Sequence, residues 1–175
     1  MENLAFRAYR LFITKIGDIY FATEPPKVRA EHIRRLLDLV QPGDIMCRRY
    51  VYYLDTYLIP GKYSHSGVVE DNKNMIHSIA EGVQNIDIID YVKDCDGFIL
   101  LRPKADATKV IDFAKHQIGK PYNFLFSLKE KSSFYCHELT YYSLAAGGLQ
   151  IVLSGRQRAI YASDIINSCE KIYEV

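Results

Sequence analysis

Paired cysteines are missing from this chain of 175 residues. Cys47, Cys95, Cys136 and Cys169 are widely separated and form no CxxC, which argues against a zinc ribbon. A chain of this length buries a core unaided, so it does not depend on a disulfide framework either. An excess of charge is also missing: Lys plus Arg number 22 against 21 for Asp plus Glu, leaving no electrostatic reason to expect nucleic acid. No apolar run approaches the length of a transmembrane helix. In MENLAFRAYRLFITKIG, Glu2, Arg7, Arg10 and Lys15 break up what would be the apolar stretch of a signal peptide. Neither a low-complexity tract nor an internal repeat is present. These absences predict a single domain over residues 1–175 in a reducing, cytoplasmic compartment.

What is present is helix, then strand, then helix. Residues 4 to 20 carry a ragged apolar stripe (Leu4, Phe6, Leu11, Phe12, Ile16, Tyr20) interrupted by basic residues, and 30 to 40 repeat the pattern with Ile33, Leu36, Leu37 and Val40. Residues 1–41 are therefore expected to form a helical extension packed on the core, the first helix having a peripheral membrane contact as its alternative. QPGD reads as a turn into a buried strand, DIMCRR. The tyrosine-rich stretch RYVYYLDTYLIPGKY follows, either an aromatic wall for a ligand or ordinary strand and core. YSHSGVVE, NMIHSIAEG and GFILLRP read as strands, 107–118 and 136–146 as helices, and the tail as a short capped helix and a terminal strand. This order predicts an α+β fold, an antiparallel sheet or partial barrel packed against helices, rather than a parallel sheet.

Cys136 and His137 are adjacent at a predicted helix start. Neighbours on a helix point about 100° apart, so His137 is not placed to serve the sulfur. His65 and His77 lie on two strand runs. If those form a hairpin whose turn centres on Asp71, the two histidines are directly opposed and their imidazoles bond in series. A cysteine nucleophile needs a base near sulfur and a third group holding that base. A helix N-terminus would lower the thiol pKa, and its N–H groups would face an oxyanion. A zinc site from His65, His77 and Cys136 is chemically possible but lacks the close ligand pairs of zinc motifs; the expectation is no metal and no cofactor.

PGDI (42–45), YSHSGVV (63–69), GKPYNF (119–124) and FYCHEL (134–139) resemble, in that order, segments of the NlpC-like branch of papain-fold cysteine hydrolases in its circularly permuted form. That form includes YiiX-like proteins, poxvirus relatives and the lecithin:retinol acyltransferase group. The resemblance covers about residues 42 to 170, and implies Cys136 as nucleophile, His65 as base, His77 as the third residue, and Tyr122 lining the oxyanion region. Glu81, four residues beyond His77, is the alternative third residue. Tyr63 and Ser64, just before the base, are expected to contact substrate. The implied function is a cysteine peptidase or amidase acting through an acyl-enzyme on a peptide or amino-acid-derived substrate. The alternatives are a lipid-ester acyltransferase or thioesterase with the same triad, and a non-catalytic ligand- or zinc-binding domain.

Overall fold

The structure, a computed structural model, describes residues 4–16, 24–51, 61–128, 132–153 and 159–175. Most of the tyrosine-rich stretch (52–60) and the end of the predicted first helix (17–20) lie outside the described residues. The elements are α1 (Leu4–Ile16), α2 (Ala30–Leu39), β1 (Ile45–Arg49), β2 (His65–Val69), β3 (Asn74–Ile79), β4 (Gly82–Asp87), α3 (Ile88–Val92), β5 (Gly97–Arg102), α4 (Ala107–His116), α5 (Cys136–Ala146), α6 (Ala162–Ile166) and β6 (Glu170–Glu174). The strands form an open, wholly antiparallel sheet in the order β4-β3-β2-β1-β5-β6.

Successive strand side chains face opposite sides of a sheet, and here both sides are covered. Ile45, Cys47, Val68, Ile76, Ile99 and Leu101 pack with α4, α5 and α6 on one face. Met46, Val69, Met75, Phe98 and Leu100 pack with α2 and α3 on the other. Burial on both faces explains why GFILLR is almost continuously apolar. β4 and α3 were not anticipated from the sequence. β4 (GVQNID) is largely polar because it edges the sheet, and α3 is only five residues long, capped by Asp87, whose carboxylate accepts from the Ile89 N–H at 2.7 Å.

The PGDI segment has a structural task. Gly43 has φ 87°, and a Cβ there would fall 2.6 Å from the Ala107 Cβ, so the turn needs glycine on both counts. Asp44 is buried. It accepts from Arg102 Nε at 2.9 Å and Nη2 at 2.8 Å and from the Gln41 N–H at 2.9 Å, while Nη2 also donates to the Leu39 carbonyl. One ion pair thus ties the end of α2, the start of β1 and the end of β5. Leu36 and Val40 are buried under α2. In α1, Leu4, Tyr9, Leu11 and Phe12 are exposed and Phe6 is half-buried. No helix among the described residues is long and apolar enough to cross a membrane.

Candidate active site

The two strand histidines meet. His65 Nε2 and His77 Nδ1 lie 3.0 Å apart, with the rings edge-on at 5.2 Å. The register differs from the expected one, because Gly67, not His65, stands opposite His77. Asp71 explains the shift: its carboxylate accepts from the N–H groups of Lys73 and Asn74, both at 2.7 Å, and Glu70 N–H donates to the Asn74 carbonyl. This Asx-type turn centres the hairpin on Asn72. The histidines are consequently diagonal neighbours, still within ring reach.

Gly67 makes the diagonal possible. A Cβ there would lie 2.9 Å from the Ile76 carbonyl oxygen, 2.9 Å from Met75 Cε and 3.2 Å from the His77 Cβ. Gly67→Ala is expected to cost about 1–3 kcal/mol of stability by overpacking. Urea unfolding checks this, and an unchanged midpoint would show that the strands are not closely apposed there. Glu81 lies exposed in the two-residue turn between β3 and β4, off the face that carries His77.

Three features escaped sequence reading, two of them, Tyr91 and Arg48, on the histidine face and one, Glu138, at the start of α5. Tyr91 of α3 is fully buried, its ring 5.6 Å from His65 and 5.8 Å from His77, and its hydroxyl donates to the Met46 carbonyl at 3.2 Å. Arg48 pairs directly across from His65, its guanidinium 4.2 Å from the Tyr91 ring centroid and its Nη1 donating to the Tyr91 carbonyl at 2.6 Å. Glu138, fully buried, accepts from the N–H of the helix-capping Tyr135 at 3.3 Å and from Asn123 Nδ2 at 3.0 Å. Only Glu138 had a visible signal, an acidic residue three positions after the helix cap.

Cys136 opens α5 and is buried. Its Sγ lies 3.9 Å from the Ser64 carbonyl oxygen, and the Ser66 N–H faces it as well. These groups flank His65. β2 pairs with β3 only from Gly67 onward, so the thiol takes the strand edge beside His65 that β3 leaves open. Among the described residues no hydrogen bond joins the sulfur to an imidazole; such contacts are commonly long in a resting site. The histidines belong to the α2–α3 face of the sheet and α5 packs on the opposite one, so Cys136 meets the main chain beside His65 rather than the face that carries the two rings.

The electrostatics differ from the sequence expectation of an acidic thiol. Burial pushes Cys136 up to about 11, opposed in part by the N–H groups of Ser66, His137 and Cys136 itself. Burial, with the Arg48 charge next, holds His65 well below its ordinary value and His77 down to about 3. The resting site therefore contains a neutral thiol and two neutral imidazoles.

His137 does point elsewhere. It is buried, its Nδ1 2.8 Å from Ser66 Oγ, which in turn lies 2.9 Å from Thr140 Oγ1, so it ties α5 to β2. Tyr122 stacks edge-on against Phe124 at 4.9 Å and Phe126 at 6.2 Å, and Phe126 reaches Tyr135 at 5.3 Å. Tyr63 is buried, and its hydroxyl bonds Glu174 at 2.7 Å, anchoring β6. Ser64 is buried and presents its carbonyl to the thiol. No group of three or more His, Cys, Asp or Glu among the described residues is arranged to hold a metal ion.

No curated protein compared with the chain matches it. The model of the family described as "permuted papain-like amidase enzyme, YaeF/YiiX, C92 family" matches residues 39–160, from the end of α2 to the approach to α6. That span contains both histidine strands and the helix opened by Cys136, in permuted order, and the chain belongs to this family of papain-like cysteine amidases.

Proposed function

We propose that the protein hydrolyses an amide bond in a peptide-like substrate through an acyl-enzyme on Cys136, with His65 as general base and acid and His77 holding His65 in orientation. The observation that carries this reading is the position of the Cys136 sulfur against the main chain on both sides of a histidine whose Nε2 is already engaged by His77. The nitrogen left for the thiol is Nδ1, the one nearer the main chain. His65 then carries its proton on Nε2 and donates to His77 Nδ1.

As Sγ attacks the carbonyl carbon, its proton passes to His65 Nδ1. The C–N bond then breaks and the amine leaves with that proton. Water attacks the thioester, again through His65, and releases the carboxylic product. N–H groups at the start of α5, with Tyr122, are proposed to face the oxyanion. Because the resting thiol is neutral, proton transfer accompanies attack instead of preceding it. A lipid-ester substrate for the same triad is the second reading, favoured by the exposed apolar side chains of α1.

Alkylation by iodoacetamide, mapped by peptide mass, tests the site. A thiol raised to about 11 is un-ionised through neutral pH, so Cys136 labelling should rise about tenfold per pH unit. His65→Ala should slow labelling at Cys136 but not at Cys169, which is partly buried and whose thiol burial also raises to about 11. A plateau below pH 7 would indicate a preformed thiolate–imidazolium pair. Equal effects on both cysteines would remove His65 from the chemistry. Peptidyl and fatty-acyl electrophiles, compared by intact mass, separate the two substrate readings.

A further inference from the structure

Four large apolar or aromatic side chains of α1 are exposed. Leu4, Leu11 and Phe12 are 82%, 61% and 49% exposed and Tyr9 is 41% exposed. Leu4, Ala8, Leu11 and Phe12 follow the spacing that lines one side of a helix. α1 reaches the domain through Arg10, whose guanidinium lies 5.4 Å from the Phe124 ring centroid. Beside Phe124, Leu125 is 69% exposed. Exposed apolar residues thus occur both on α1 and on the segment it touches, the one carrying Tyr122.

The charge of α1 has one sign. Arg7, Arg10 and Lys15 fall within Leu4–Ile16, and Asp and Glu do not. We infer that α1 and Leu125 form a docking surface for an anionic lipid bilayer. The apolar side chains enter the headgroup–acyl boundary, and the helix's excess of positive charge favours anionic headgroups. A second copy of the chain fits less well, because a two-fold contact would bring the same cationic helix against itself. The inference goes beyond the hydrolase reading and stands without it.

Co-sedimentation of the full chain with vesicles tests it. Phosphatidylcholine vesicles with about 30% phosphatidylserine should bind the protein at low salt, and pure phosphatidylcholine vesicles at least about tenfold more weakly. The double variant Leu11→Asp/Phe12→Asp should lose binding while keeping the circular dichroism spectrum and Cys136 labelling of the parent. Cys136→Ser should sediment like the parent, which separates docking from chemistry. Parent protein that stays in the supernatant with anionic vesicles would overturn the inference, as would a double variant that still sediments. A dimer abolished by the double variant, without vesicle binding, would make the face a contact between copies and overturn it as well.

Discussion

His65→Ala is expected to lower kcat/KM for amide hydrolysis by about 10²- to 10⁴-fold, the usual contribution of a positioned general base. The loss should be large here because, on the proposed mechanism, His65 is the group that takes the thiol proton. Burial holds the thiol protonated at neutral pH, so attack needs a proton acceptor at the moment of bond formation. On the proposed mechanism His77→Ala should cost less, since it removes the support of the base and not the base, and His77→Asn should restore part of the loss by offering a side-chain acceptor to His65 Nε2. His137 supplies the contrast. His137→Ala breaks a buried bond to Ser66 and should destabilise the fold by about 1–3 kcal/mol, with activity per folded molecule close to the parent's. Kinetics and urea unfolding on the same preparations distinguish the two outcomes. Equal losses at His65 and His137 after correction for the folded fraction would sink the assignment of the base.

Asp44→Ala should produce the largest stability loss, about 2–4 kcal/mol in urea unfolding. Removing one partner of a buried ion pair strands the other, and Arg102 would lose two bonds from its fork at once. The figure lies below the range for a wholly buried pair because Arg102 is 31% exposed and regains some hydration. The Gln41 N–H that Asp44 caps is lost too. Asp44→Asn, which keeps an acceptor for that N–H, should fall between the parent and Asp44→Ala. A change under about 1 kcal/mol would mean that the turn holds without the ion pair.

The site was legible where local chemistry dictates geometry. Alternation placed His65 and His77 on one face, and the argument that helix neighbours diverge set His137 apart from Cys136. The hairpin register was misjudged by two residues because the decisive interaction is a side chain, Asp71, binding its own turn. Tyr91 and Arg48 were invisible for a different reason. Their importance comes from contacts across more than forty residues of sequence, through a helix too short to leave a periodic signal. The thiol's pKa was misread because helix-dipole reasoning weighs the N–H groups but not the burial of Cys136. The stripe on α1 was visible, but periodicity reports only that a face is apolar and does not say what covers it.

On the proposed mechanism, the permuted order bears on when during synthesis the chain becomes able to act. His65 precedes Cys136 by 71 residues. β1 to β4 pair with neighbours in sequence, so their contacts need no residue beyond β4. On the proposed mechanism, the growing chain carries a finished base and no nucleophile until the ribosome has passed α5. The strand edge beside His65 stays empty until then, and a partly made chain cannot cleave what it meets.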